Sequence, residues 1–265
     1  MTSPKRSLGQ SFLKSPGTVR KIIQFGRVQP EEPLIEIGPG KGALTESLLR
    51  ISQDLIAVEI DGDLARGPLA ALFEKYPRAR LWVADARRLE PSQWGGCHPR
   101  KFFGNLPYNV ASHLIQKFAE PEWKPLISEM IFMVQKEVAE RIWAVPGSKD
   151  YGYLSCICSL AFSIEKGFQV SPGAFFPRPK VESMVLRLLP RRDLLLDRES
   201  WELLKDLLSA CFAHRRKTIH NNLKASRFDA SWLPIAGIPP AARPEDISVE
   251  KFLTLAALIS KKGLN

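Results

Sequence analysis

The feature that most constrains this chain is a short apolar run, Leu34-Ile35-Glu36-Ile37, passing directly into Gly38-Pro39-Gly40-Lys41-Gly42 and then into helix-spaced residues around 43–51. A strand buried on both faces reads as a nearly continuous apolar run. Glycines at its end let the backbone take positive φ and pass close to a ligand. The helix start beyond them offers unpaired N–H groups and a positive dipole end. Similar runs recur at Leu55-Ile56-Ala57-Val58, Arg80-Leu81-Trp82-Val83, Lys101-Phe102-Phe103 and Met130-Ile131-Phe132-Met133-Val134, with helical patterns around 63–75, 110–118 and 135–143 between them. That alternation predicts an α/β fold, a doubly wound Rossmann-like sheet whose ligand lies beyond the carboxyl ends of the strands.

Two further patterns organise the chain. Val181–Leu188 alternates polar and apolar residues and stops at Pro190, which predicts a half-exposed or edge strand closing the sheet. After Pro190-Arg191-Arg192 only helix-spaced segments follow, at 199–213, 215–224 and 248–260. The expected division is an α/β domain over 1–190, with a basic N-terminal segment 1–30, and a small all-helical domain over 191–265.

The second strand ends at Glu59, 21 residues beyond Gly38, a spacing that suits an acid accepting hydrogen bonds from both ribose hydroxyls of a nucleoside cofactor. NAD and S-adenosylmethionine fit these features about equally. The G-x-G-x-G turn, in place of G-x-G-x-x-G, weighs against a pyrophosphate. Asp85, directly after the third strand, is placed to meet a cofactor adenine. Gly38, Gly40, Glu59 and Asp85 are therefore candidate cofactor residues.

Phe103-Gly104-Asn105-Leu106-Pro107-Tyr108 follows the fourth strand and so faces the same turn. An exocyclic adenine amine is a poor nucleophile, because its lone pair is delocalised into the ring. A site that methylates it must favour the pyramidal, cationic nitrogen of the transition state. The Asn105 side-chain oxygen and the Leu106 carbonyl can accept the two amine hydrogens, Pro107 fixes the turn, and Tyr108 offers a face for stacking. Phe176, in Phe175-Phe176-Pro177-Arg178-Pro179, is the candidate for the other side of the base.

The net charge of +10 is unevenly spread. Residues 1–30 carry six basic groups and no acid, residues 31–170 carry 16 basic against 18 acidic, and the excess returns after 170. Basic ends around a slightly acidic centre suit a chain that grips phosphates while its middle does chemistry. The cysteines at 97, 156, 158 and 211 lack zinc spacing and are read as reduced thiols; His214 and His220 suggest no metal site. No apolar run reaches the roughly 20 residues of a membrane span, and no h-region follows the N-terminus. A soluble, cytoplasmic protein is expected.

Read together, these residues resemble the dimethyladenosine transferase family, nearly end to end. Leu8-Gly9-Gln10-Ser11-Phe12-Leu13 is similar to the family's opening segment, which lies over the cofactor, although the family usually has Asn where this chain has Ser11. Glu36 to Thr45, Asn105 to Tyr108, Gln135 to Arg141, Phe176 to Ser183 and Phe212-Ala213-His214-Arg215-Arg216-Lys217-Thr218-Ile219 match in order. The resemblance implies S-adenosylmethionine as cofactor, with Ser11, Leu13 and Asn105 added to its contacts. It also implies double methylation of N6 on two adjacent adenines in a hairpin loop near the 3′ end of 16S rRNA, on a small-subunit precursor, by a monomer. Arg215, Arg216, Lys217 and Lys224, with Arg227 nearby, would hold RNA phosphates. Two rivals stand beside this reading. One is an adenine-N6 methyltransferase of 23S rRNA of the macrolide-resistance type, against which the Arg-Arg-Lys-Thr run and Arg243-Pro244-Glu245-Asp246-Ile247-Ser248 weigh. The other is a mainly non-catalytic assembly factor, against which the intact set of site residues weighs.

Overall fold

The computed structural model describes residues 10–94, 98–107, 110–194 and 196–262. Its strands are β1 (Phe12–Leu13), β2 (Leu34–Ile37), β3 (Leu55–Glu59), β4 (Arg80–Val83), β5 (Arg100–Asn105), β6 (Ile127–Gln135), β7 (Phe162–Val170), β8 (Phe175–Phe176) and β9 (Ser183–Pro190). Seven of them form one sheet in the order β4-β3-β2-β5-β6-β9-β7, and β1 pairs with β8 in a separate ribbon. β4, β3, β2, β5 and β6 run parallel to their neighbours, while β9 is antiparallel to β6. The chain steps outward from β2 to β4 and then returns to lay β5 on the other side of β2. Their carboxyl ends diverge at that point, which is where open α/β sheets bind ligands.

Every residue of β2 and β3 is buried, as their unbroken apolar runs require. Leu34, Leu55, Phe103 and Ile131 pack on one face with Val19 and Ile22 of the helix Pro16–Gly26 and Leu44 and Leu48 of the helix Ala43–Leu49. Ser15 caps the first of these helices by accepting from Thr18 N–H, and Arg27, at φ 46°, closes it. The other face carries an aromatic cluster of Trp82, Trp94, Phe102, Phe118, Trp123 and Phe132, ring centroids 5.0–6.1 Å apart.

The edge expected of 181–188 lies elsewhere. β9 is an inner strand between β6 and β7, and β7, for which the sequence offered no strand signal, takes the edge. Of the polar residues whose alternation made 181–188 look half-exposed, Ser183 and Arg187 are buried, and Arg187 is paired with Glu129 and Glu165. Glu129 also lies 2.8 Å from Lys101 Nζ, itself 2.9 Å from Glu32, and Lys101 donates to the Gly26 carbonyl at 2.8 Å. Buried charges survive only when paired in this way. The network ties β5, β6 and β9 to the helix Pro16–Gly26. The helix expected over 63–75 is broken into Gly62–Leu64, a π-type turn Ala65–Leu69 and Ala70–Phe73, because Gly67-Pro68 falls inside it.

The chain forms two compact units. The first comprises the described residues up to Phe118, Glu122–Ala139 and Ser163–Pro190; the second comprises Ala119–Pro121, Glu140–Phe162 and the chain from Arg191. This differs from a simple 1–190 and 191–265 division, because the helix Tyr153–Ala161 belongs with the C-terminal helices. Within the second unit, Arg198–Cys211 packs against Val249–Lys262, burying Trp201, Leu204, Leu208, Phe252 and Leu255. Tyr151 donates to the Ile247 carbonyl at 3.0 Å, and Phe212 lies edge-on to it. Cys156, Cys158 and Cys211 are buried free thiols in this unit, their acidity suppressed by burial; Cys97 lies outside the described residues. No helix among the described residues is long and apolar enough to cross a membrane.

Candidate active site

A cleft of about 270 Å³ opens at the carboxyl ends of β2, β3 and β5, entirely within the first unit. Ser11, Leu13, Gly38, Gly40, Glu59, Asp85, Asn105, Leu106 and Pro107 all line it. Gly38, Gly40 and Gly42 adopt φ of 70°, 61° and 84°, a region that side chains with a Cβ seldom enter. A Cβ on Gly40 would also stand 2.9 Å from the Phe12 ring. The β1 segment therefore lies directly over the glycine turn, with Lys41 Nζ 5.0 Å from the same ring centroid.

Glu59 ends β3 with its carboxylate accepting from Gly40 N–H at 3.0 Å and Asp61 N–H at 2.9 Å. Burial raises its pKa, and these two N–H donors offset part of the rise. Each carboxylate oxygen keeps a second lone pair for a ligand. Asp85 accepts from the backbone and guanidinium of Arg87, and those bonds lower its pKa. Glu36 also lines the cleft. Its Oε2 is buried without a hydrogen-bond partner, and burial pushes its pKa up to about 8, against the pull of the neighbouring Thr45 hydroxyl.

Asn105 ends β5, with its amide Nδ2 donating to the Ser11 carbonyl at 3.0 Å. That bond orients the amide and leaves Oδ1 as the side chain's acceptor. Ser11 also donates its hydroxyl to the Pro177 carbonyl at 2.7 Å. Phe12 pairs with Phe176 across the β1–β8 ribbon, and the Phe176–Pro177 peptide is cis. One short segment thus touches both the Asn105 turn and the 176–177 turn. Phe176 itself is not part of the cleft wall and is 57% exposed. Gly104 admits β5 this close to β2, since a Cβ there would meet the Ile37 carbonyl at 2.9 Å. Tyr108 lies outside the described residues.

Among the contributors to the cleft that the sequence reading did not single out are Ile60, Arg87 and Glu36. Ile60, next after Glu59, is 45% exposed and forms part of the wall, a placement its position after a strand-end acid signals. Arg87 occupies Asp85, and Glu36 turns a polar atom inward; an isolated acid in an apolar strand was the available cue.

In the second unit Arg215, Arg216 and Lys217 lie in an exposed turn between helices, where a helix was expected from 215. The helix starts at Ile219 because Thr218 caps it, accepting from Asn221 N–H. Arg215 donates to the Lys149 carbonyl and lies 4.0 Å from Glu245. Arg227 pairs with Asp206. Among the described residues no acid pairs with Arg216, Lys217 or Lys224, and Lys217 and Lys224 border a shallow depression.

Comparison with known proteins gives this geometry its class. The sequence model of a family described as ribosomal RNA adenine dimethylase matches residues 1–261. The chain belongs to the ribosomal RNA adenine dimethylase family. It is 36% identical to the ribosomal RNA small subunit methyltransferase A of Marinobacter nauticus, covering 98% of this chain and 92% of that protein. Identity is 37% to the protein of the same name from Francisella tularensis subsp. novicida, covering 98% of each. Among solved structures, a dimethyladenosine transferase from Plasmodium falciparum superposes with a TM-score of 0.77 at 26% identity, covering 95% of this chain and 98% of the other. The 23S rRNA methyltransferase ErmE gives 0.66 at 25%, covering 94% and 99%. The chain is accordingly an rRNA adenine dimethyltransferase, an enzyme class whose methyl donor is S-adenosylmethionine. The cleft suits that donor. Glu59 and Asp85 face it with carboxylates, which favours a sulfonium and ammonium cation over an anionic pyrophosphate.

Proposed function

We propose that the enzyme methylates N6 of two adjacent adenines in a hairpin loop near the 3′ end of 16S rRNA, acting as a cytoplasmic monomer on a small-subunit precursor. The observation that carries the catalytic part is the Asn105 amide, locked by Ser11 with its oxygen left as acceptor at the rim of the cofactor cleft. The names of the bacterial relatives support the small subunit as substrate.

In this reading Gly38, Gly40 and Leu13 shape the cofactor's bed, Glu59 takes its ribose hydroxyls and Asp85 its adenine, displacing Arg87. When bound, the cofactor would supply an electrophilic sulfonium methyl for the N6 lone pair to attack, the C–S bonding pair remaining on sulfur as the thioether leaves and an N6 proton passing to water. Asn105 Oδ1 and the Leu106 carbonyl accept the amine hydrogens and favour the developing ammonium, with positioning supplying much of the rate. Pro107 holds this turn: its carbonyl accepts from the N–H groups of Val110 and Ala111 at 3.1 and 3.0 Å. Tyr108 and Phe176 would stack on the base, whose extrusion from a loop is less costly than from a duplex. Arg216, Lys217 and Lys224 would meet RNA phosphates, with Arg215 partly engaged by Glu245.

Purified protein with methyl-labelled S-adenosylmethionine, offered unmethylated small subunits, large subunits and naked RNA in parallel, tests this. N6,N6-dimethyladenosine in small-subunit RNA alone is expected. Label in 23S RNA would replace the reading with the large-subunit activity of the ErmE type, and binding without label would leave an assembly factor. Asn105→Ala should remove most turnover with cofactor affinity nearly intact, and Glu59→Ala mainly the affinity. Equal loss of cofactor by both would overturn this division of roles.

A further inference from the structure

A second cavity, of about 170 Å³, lies in the first unit and shares no residue with the cofactor cleft. Its wall includes Asp54, just before β3, Arg80 and Trp82 of β4, Arg100 at the start of β5, and Arg78 and Trp94. It therefore sits toward the amino-terminal ends of these strands, at the opposite end of the sheet from the cofactor cleft.

Three guanidinium groups meet one carboxylate here. Arg78 is neutralised by Glu31 at 2.7 Å, and Arg100 reaches Asp54 at 2.8 Å through its Nη1. Arg80 is exposed and pairs with no acid among the described residues. Two donors are also left over. Trp94 is 4% exposed and its indole N–H has no hydrogen-bond partner, nor has the buried Nε–H of Arg100. A buried N–H left unpaired is destabilising, and orphans of this kind are rare. Both groups can only donate, so what satisfies them must accept. Positive charge, two donor-only orphans and an aromatic wall formed by Trp82 and Trp94, 5.2 Å apart, define an anion site. The cavity holds several times the volume of a water molecule, about 30 Å³, which leaves room for a tetrahedral oxyanion.

We propose that this cavity binds a phosphate group, held by the charge of Arg80 and by the unpaired N–H donors of Arg100 Nε and the Trp94 indole, with the Asp54 carboxylate held by Arg100 Nη1 in their ion pair. The proposal does not depend on which RNA the enzyme methylates. The phosphate belongs either to a nucleic-acid backbone or to free inorganic phosphate.

The test titrates inorganic phosphate into the full-length protein at constant ionic strength, following the ¹⁵N-labelled tryptophan indole resonances, with Trp94 assigned through Trp94→Phe. Saturable movement of the Trp94 resonance is expected, with affinity at least fivefold weaker in Arg80→Ala, a surface change. Cofactor affinity in that variant should be unaltered. Salt dependence of binding to a small-subunit rRNA fragment separates the two sources. A slope of log K against log salt that falls by about one in Arg80→Ala identifies the RNA backbone, and an unchanged slope identifies free phosphate. A Trp94 resonance indifferent to phosphate, or equal phosphate affinity in wild type and Arg80→Ala, overturns the proposal.

Discussion

Replacing Glu36 by glutamine isolates the most perturbed carboxylate of the cofactor cleft. Its Oε2 is buried without a partner, Glu59 lies close enough to repel its charge, and its pKa rises from 4.5 to about 8. Because the folded value exceeds the unfolded one, the native state binds the proton more tightly. The stability this group contributes is fully present below pH 4.5 and is lost as pH rises through about 8. At about 1.4 kcal/mol for each tenfold change in proton affinity, the whole loss approaches 5 kcal/mol, an upper value because the cleft can admit water. Glutamine mimics the protonated acid and does not titrate. The stability of Glu36→Gln minus that of wild type should therefore grow by about 3–5 kcal/mol between pH 5 and pH 9 without cofactor, while contributions from Glu59 largely cancel. Urea unfolding of both proteins across that range, with circular dichroism confirming a native variant, measures it. Parallel pH profiles would refute the argument, since they would mean that Glu36 ionises as an ordinary exposed acid.

Four other expectations concern different parts of the molecule. Gly40→Ala places a Cβ against the Phe12 ring at a φ of 61°, so cofactor affinity measured by calorimetry should fall at least tenfold; an unchanged affinity would remove the turn from the binding site. Lys101→Met breaks the Glu32–Lys101–Glu129–Arg187 network and should cost about 3–5 kcal/mol in urea unfolding, whereas a loss below about 1 kcal/mol would show the network to be solvated. Glu129, held below its usual range by Arg187 and Lys101 despite burial, contributes stability present above pH 4.5 and lost as pH falls through its lowered value. An Arg216→Ala/Lys217→Ala double variant should lower the salt slope of RNA binding by about two with cofactor affinity retained; an unchanged slope would move the RNA grip to the basic N-terminus.

What the sequence determined by itself was local. The run Leu34–Ile37 into three glycines, the acid ending the next strand at 59 and the Asn-Leu-Pro turn after the fourth strand each carry their meaning within a few residues, because strand burial and turn conformation are nearest-neighbour properties. They were enough for the α/β sheet and for the cleft at its carboxyl ends. The tertiary structure decided everything that depends on pairing between distant segments. Arg187 helped make β9 read as an edge, and only the register against β6 brings Glu129 to it and buries both. Ser11 and Asn105 are 94 positions apart, and Ser11 and Pro177 166, so neither hydrogen bond has a signature along the chain. The orphan oxygen of Glu36 and the orphan donors of Trp94 and Arg100 are of the same kind. Whether a polar group ends up paired depends on which strands lie side by side, and the long-range geometry of the sheet sets that, not the residues around it.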